Sequence, residues 1–135
     1  MAAFNKFYSF VEALAEKTHN LGSDQLKIAL TNTIPVNTNT VLANITEISY
    51  TNLSTRNVTT STSAQTTGTY KLVCADLVLT ATGAVGPFRY VVLYNDTATA
   101  DELIGWYDYG SAVNMVNTDT FTIDFDGAGG VLTIA

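Results

Sequence analysis

The chain has 135 residues, which is the usual size of one domain and enough to bury one ordinary core. Charged residues make up 13% of the chain and the net charge is −6, whereas a typical globular domain is about one quarter charged. The six Lys and Arg residues are scattered, so we expect no nucleic-acid partner. No apolar run is long enough to span a bilayer, and no secretion signal is evident at the start. We therefore expect no membrane partner and synthesis in a cytoplasm.

The first segment carries the spacing of an amphipathic helix. Its apolar residues recur three and four positions apart, at Phe4, Phe7, Tyr8, Val11, Leu14 and Ala15. This pattern predicts a helix over residues 3–18, ended by the segment from His19 to Gly22. Two placements of the helix stay open. It packs either on the sheet of its own chain or, as an arm, on a neighbouring subunit.

After Gly22 the apolar spacing changes to two, which indicates strands. About seven short strands separated by turns predict an antiparallel β-sandwich or barrel over residues 24–135, within a single domain of residues 1–135. The segment 41–50 is ambiguous and predicts a helical turn followed by a strand. The Thr-, Ser- and Asn-rich stretch 51–69 predicts exposed edge strands or long loops.

Three details of the strands are also predicted. A change of phase at Ala75-Asp76 indicates a β-bulge. In the segment 88–94, four residues share one face, whereas Val91 and Leu93 occupy the other, so this strand is expected to lie centrally or beneath an interface; the four are Phe88, Tyr90, Val92 and Tyr94. The segments 121–125 and 131–134 flank a Gly-rich turn and predict a hairpin.

Reactive residues are few. Cys74 is the only cysteine and its position in an alternating run predicts a buried core thiol. His19 is the only histidine and lies at the expected helix end, so a Ser-His-Asp or Cys-His arrangement would have to be built on a helix-capping residue. Asp124 and Asp126 alternate with apolar residues and are interpreted as the solvent face of a strand rather than a calcium loop. We expect no enzyme activity, no cofactor and no metal site.

The aromatic residues are the best candidates for a contact surface. Amphipathic aromatics are favoured in interfaces and in sugar-binding platforms, although core packing is expected to account for about half of them. The candidate protein-contact residues are Phe4, Phe7, Tyr8, Tyr90, Tyr94, Trp106, Tyr107 and Tyr109.

Four segments resemble small structural proteins of tailed bacteriophages: residues 21–32, 86–96, 103–108 and 121–132. The resemblance spans nearly the whole chain, and the segments bear the fold rather than an active-site signature. It implies a virion component, synthesised in the host cytoplasm, and carries no catalytic residues.

Among virion parts, a small acidic domain with a neutral, Thr-rich surface most resembles a capsid decoration, or cement, protein. Such a protein binds the outside of the major capsid protein, often as a trimer, and stabilises the shell. The alternatives are a tail or head–tail connector component, and a glycan-binding module on a fibre or spike that uses Trp106 and the nearby tyrosines as a stacking platform.

Overall fold

The computed structural model describes residues 2–135. One α-helix, α1 (Ser9–Ala15), and one short 3-10 helix (Leu42–Asn44) accompany ten strands. In chain order the strands are β1 (Asn5–Lys6), β2 (Leu26–Thr31), β3 (Asn57–Val58), β4 (Thr60–Thr66), β5 (Thr69–Cys74), β6 (Leu77–Thr80), β7 (Val85–Asn95), β8 (Leu103–Met115), β9 (Thr120–Ile123) and β10 (Leu132–Ile134).

The strands form three antiparallel sheets. The largest has five strands in the order β1-β8-β7-β2-β3, the second has three in the order β10-β5-β4, and the third is the pair β6-β9. The prediction of a mainly antiparallel β fold with one helix, in a sandwich-like arrangement, is therefore confirmed. The strand number exceeds the expected seven because β1 and β3 are only two residues long and β4 consists mostly of Thr and Ser, so none of the three has an apolar periodic pattern.

The centre of the five-stranded sheet is buried on both faces. On one face Val91 and Leu93 of β7 join the main core, which also contains buried residues of the two smaller sheets such as Leu72 and Leu79. On the other face Val92 and Tyr94 join a second cluster. The central position of β7 between β8 and β2 explains its apolar residues on both faces, as the sequence predicted.

The second cluster is covered by irregular backbone rather than by a sheet. Phe7 from the N-terminal segment and Ile45 from the segment between β2 and β3 pack on it, with Leu42 of the 3-10 helix against its side. The helical turn expected in residues 41–50 is present, but the strand expected after it is not. Only an isolated bridge joins Glu47 to Thr31.

The predicted helix over residues 3–18 is wrong in its extent. The backbone of Asn5 and Lys6 pairs with Trp106 and Gly105 of β8, and the helix begins only at Ser9. It ends at Ala15, and Lys17, rather than Gly22, adopts the left-handed conformation that follows it, with φ of 70°. Sheet pairing therefore overrides a helical pattern at the start of the segment.

Glycine makes the pairing of β1 possible. A Cβ atom added at Gly105 would overlap the ring of Phe4 and lie 2.9 Å from the carbonyl oxygen of Asn5. The first strand can therefore approach β8 closely only because position 105 lacks a side chain. The helix then packs against β8, and Phe10 enters the main core, so the placement of α1 on its own sheet is the one observed.

Two predicted strand connections are also wrong. The change of phase at Ala75-Asp76 is not a bulge, because β5 and β6 belong to different sheets. The expected C-terminal hairpin is absent, because β9 pairs with β6 and β10 pairs with β5. In both places the sequence showed two apolar runs and a break but contained no information on which distant strand each run would join.

The prediction of which residues share one face of β7 is wrong at Phe88. Phe88 packs in the main core with Val91, not on the face of Tyr90, because the pairing of β7 with β8 is irregular between Phe88 and Tyr90. By contrast, the edge strands expected in residues 51–69 are confirmed: β3 and β4 each lie at the edge of a sheet. Cys74 is 2% exposed, and burial raises the pKa of its thiol to about 11.

In residues 2–135 no helix has both the length and the apolarity required to cross a membrane.

Candidate functional site

The structure separates the eight candidate aromatic residues by exposure. Phe7, Tyr90 and Tyr94 are buried, whereas Phe4, Trp106 and Tyr107 are half-buried. Only Tyr8, which is 62% exposed, and Tyr109, which is 56% exposed, offer most of their side chains to solvent. These two tyrosines have different neighbours. The Tyr8 hydroxyl is 3.5 Å from Asn37 Nδ2, whereas the ring of Tyr109 is 5.1 Å from the ring of Phe121.

The half of β8 that carries Tyr109 is irregular and has a free edge. Asp108 pairs with Tyr90 and Val113 pairs with Phe88, so four residues, 109–112, bulge between these pairs while β7 contributes only Arg89. Gly110 supports the bulge with φ of +99°, and its N–H donates to Asp108 Oδ1 at 2.8 Å. Within residues 2–135, β1 pairs with β8 only at Gly105 and Trp106, so the outer edge beyond Trp106 has no neighbouring strand.

Asp108 is fixed by a second contact. Arg89 donates to it through Nε at 2.8 Å and Nη2 at 3.0 Å, a bidentate ion pair across the two strands. The hydrogen bonds from Arg89 lower the pKa of Asp108 below its usual range. Since both side chains are well exposed, this pair positions the bulge more than it stabilises the fold.

A cleft opens beside the bulge, and we name it the tyrosine cleft. Its volume is about 310 Å³. It is lined by Val91, Tyr107, Tyr109, Phe121, Ile123 and Asp124, together with Ala2 and Thr122. Val91 and Ile123 are buried and form its apolar base, whereas Tyr109 and Asp124 are exposed at its margin.

Tyr107 connects the cleft with the main core through contacts with two other aromatic rings. Its ring packs against Phe4 at a centroid distance of 5.7 Å and against Phe125 at 6.3 Å. Burial is the largest of the effects that raise the pKa of its phenol, so Tyr107 stays neutral at physiological pH.

Trp106 faces the opposite side of the sheet. Its ring packs beside the second cluster and stands edge-on to Tyr90 at 5.9 Å, and its Nε1 atom is buried without a hydrogen-bond partner in residues 2–135. The single stacking platform of Trp106 with Tyr107 and Tyr109 is therefore not formed. Adjacent residues of a strand point to opposite faces, which separates Trp106 from both tyrosines.

A buried polar network lies at another end of the molecule, and we name it the histidine network: His19, Asp24 and Asn95. Asn95 Nδ2 donates to Asp24 Oδ2 at 2.7 Å and lies 3.0 Å from His19 Nδ1. The network borders an open groove of about 760 Å³. It joins the segment after α1, the residues before β2 and the end of β7.

The orientation of the Asn95 amide fixes the state of His19. Asn95 Oδ1 accepts from the backbone N–H groups of Thr97, at 3.0 Å, and Ala98, at 3.1 Å, so its Nδ2 must be the donor toward His19. His19 Nδ1 is then an acceptor and the imidazole is neutral. Burial lowers the pKa of His19 from 6.5, and the nearby Glu102 and Asp24 only partly oppose this.

The C-terminal acids play different roles from those predicted. The strand ends at Ile123, so Asp124 and Asp126 do not continue it. Asp124 is exposed as expected, but Asp126 is half-buried and its Oδ1 accepts from the N–H groups of Ala128, at 3.0 Å, and Gly129, at 2.7 Å. Asp126 thus organises the turn that carries the chain from β9 to β10. In residues 2–135 no three His, Cys, Asp or Glu side chains converge as metal ligands would.

A third opening, of about 560 Å³, separates α1 from β10. Its lining includes Phe10 and Leu14 from the helix and Leu132 and Ile134 from the strand. Val11 and Ile134 are partly solvent-exposed there, at 51% and 42%. This opening is apolar and lacks the acid found in the tyrosine cleft.

Sequence reasoning missed two features of these sites. Phe121 lies in the predicted strand 121–125 but is not among the eight contact candidates, yet it forms a wall of the tyrosine cleft. The histidine network was missed entirely, because His19 and Asn95 are 76 positions apart and only tertiary packing joins them. No local pattern contains such a signal: the sequence shows a lone His at a helix end and places Asn95 in a polar loop, whereas the structure buries Asn95 at the end of β7.

No family model, no curated protein and no solved structure matches the chain.

Proposed function

We propose that this chain is a virion structural protein of a tailed bacteriophage, and specifically a capsid decoration protein that binds the outside of the major capsid protein and stabilises the shell. The observation that carries the proposal is the outer half of β8, residues 107–115, which we call the free half of β8. Within residues 2–135 it pairs with β7 along one edge and with no strand along the other. There an unpaired strand edge, the exposed Tyr109 and the tyrosine cleft lie side by side. Such a surface suits contact with another protein, because strand edges pair and tyrosines bury large area at small entropic cost.

Charge supports the same proposal. Only 13% of the residues are charged, so burying surface against a neighbour desolvates few charges. The edge strand β4 is formed by Thr, Ser, Ala and Gln, and it offers a second neutral edge. A shell uses many copies of one contact, so a modest interface suffices for stabilisation when it is repeated. Self-association, with a trimer favoured, would place several free edges around one axis.

The experiment uses particles of the phage that encodes the chain. We expect the protein in purified virions, and an electron-density map of the virion is expected to place it on the outer surface of the head. Particles made without it are expected to release DNA at a lower temperature than complete particles. Equal resistance to heat, together with density for the chain in the tail, would support the tail or connector alternative and contradict decoration.

A pair of variants connects this test to β8. Tyr109→Ala is expected to lower the amount of protein bound per particle, because it truncates the exposed residue of the free half of β8. Tyr8→Ala is the matched control, since Tyr8 is equally exposed but lies elsewhere. Equal occupancy for the two variants would show that the free half of β8 is not the contact surface.

A further inference from the structure

We infer that the tyrosine cleft binds an arginine side chain of a neighbouring protein, with the guanidinium group against the aromatic walls and paired with Asp124. The inference rests on the proposed function in so far as the neighbour belongs to the same particle. It names the chemistry that the partner presents to this surface.

The walls of the cleft suit a flat cation. Tyr107, Tyr109 and Phe121 line it, and the rings of Tyr109 and Phe121 are 5.1 Å apart and inclined by 60°. The face of an aromatic ring carries partial negative charge and attracts cations, most often a guanidinium group. The molecule already contains this contact twice, since Arg56 lies 3.6 Å from the ring centroid of Tyr50 and Arg89 lies 5.4 Å from that of Tyr90.

Asp124 supplies the complementary charge. It is exposed, and within residues 2–135 it forms no ion pair and accepts no side-chain or capping hydrogen bond, unlike Asp108 and Asp126. The net charge of −6 attracts a cationic group toward the molecule as a whole. A guanidinium group is planar and can pair bidentately with a carboxylate while it stacks on a ring, whereas an ammonium group cannot do both.

The size of the cleft favours one side chain. Its volume of about 310 Å³ lies at the lower limit of known ligand sites. The base formed by Val91 and Ile123 is apolar and suits the methylene stem of arginine, which buries well while its head remains polar. A chain of several sugar rings would not fit within this volume and would find only one carboxylate.

The experiment is a titration of the purified, ¹⁵N-labelled protein with N-acetyl-arginine methylamide, followed by NMR. We expect shifts of the amide signals of Tyr109, Thr122 and Asp124, with a dissociation constant on the order of millimolar for a single small cation. N-acetyl-citrulline methylamide has nearly the same shape without the charge and is expected to bind at least about fivefold more weakly. The lysine derivative is expected to bind more weakly than the arginine derivative.

Two variants locate the site. Asp124→Asn removes the charge and is expected to weaken arginine binding at least about threefold. Tyr109→Leu keeps apolar area but removes the ring face and is expected to weaken it about two- to fivefold. Glu12→Gln removes an exposed acid on α1, remote in sequence from the cleft, and is expected to leave binding unchanged.

Equal binding of arginine and citrulline derivatives, shifts confined to residues outside the cleft, or equal losses for Asp124→Asn and Glu12→Gln would each overturn the inference. All of these measurements use the isolated protein. Failure of the arginine titration therefore leaves the virion proposal standing, and absence from virions leaves a positive titration standing.

Discussion

The two halves of β8 differ although they belong to one strand. Residues 103–105 are buried, and Gly105 and Trp106 have β1 on one side and β7 on the other. Beyond Trp106 the strand has only β7 as a neighbour, bulges at residues 109–112, and exposes Tyr109. One strand thus provides both the rigid scaffold and the surface that we propose for contact. Trp106 is paired on both edges and Tyr107 on one, yet both are half-buried, whereas Tyr109 on the bulge is exposed. The difference teaches that the packing over each face, rather than edge pairing or residue type alone, decides which aromatic becomes part of the core.

The largest expected effect is in the buried half. Leu103 is 0% exposed in the second cluster, so Leu103→Ala leaves a cavity and is expected to lower the free energy of unfolding by about 2–5 kcal/mol. Val113→Ala, in the other half, truncates a half-buried side chain and is expected to lower the free energy of unfolding by clearly less. Urea unfolding measures both, and equal losses would contradict the contrast between the two halves.

The next largest effect is expected at Asn95, the last residue of β7, which holds the loop that leads into the buried half of β8. Asn95→Ala removes the partner of His19, of Asp24 and of two backbone N–H groups, and is expected to lower the free energy of unfolding by about 1–3 kcal/mol. Asn114→Ala is the matched control, because Asn114 is an exposed asparagine of the outer half. A loss as large in Asn114→Ala would show that the histidine network carries no special stability.

The pH dependence of folding stability near neutral pH follows from His19. Its folded pKa lies below the unfolded value of 6.5, so the unfolded chain takes up a proton first as the pH falls. The stabilising contribution of the neutral imidazole is complete well above pH 6.5, decreases as the pH drops through this value, and stops decreasing below the folded pKa.

Urea midpoints measured on either side of this value test the effect. We expect His19→Gln to reduce the decrease in the midpoint on acidification relative to the unmodified protein. Burial raises the pKa of Asp101, so protonation of this residue stabilises the folded state as the pH falls, which opposes the effect of His19. The difference in midpoint between the two proteins is therefore compared, because Asp101 contributes equally to both. An identical decrease in both proteins would contradict the neutral, buried state of His19.

The smallest expected effect on stability is at Tyr109, in the exposed half of β8. Tyr109→Ala loses the contact with Phe121 but creates no cavity, so the free energy of unfolding is expected to fall by about 1 kcal/mol or less. Thermal unfolding of the variant measures this change. A loss as large as that of Leu103→Ala would mean that Tyr109 belongs to the fold rather than to a contact surface.

Several features of the fold were predictable because they depend on local pattern. Apolar residues on both faces predicted that β7 lies centrally or beneath an interface, and the Thr-rich composition of residues 51–69 predicted edge strands or long loops; the structure shows the first of each pair. The candidate site was only partly predictable. Tyr107 and Tyr109 were identified as contact candidates, but Phe121 and Asp124 joined them through the pairing and packing of distant strands.

By itself the sequence determined a mainly β chain with one helix near the start, a single buried thiol and a charge-poor surface, because period, composition and side-chain chemistry act within a few residues. Only the tertiary structure decided where the helix begins, which strands join, and which aromatic residues remain exposed. Asn5 and Lys6 leave the helical pattern because β8 offers hydrogen bonds and Gly105 leaves room. Tyr109 is exposed while Tyr94 is buried because one lies on a bulged, free edge and the other beneath Phe7 and Ile45.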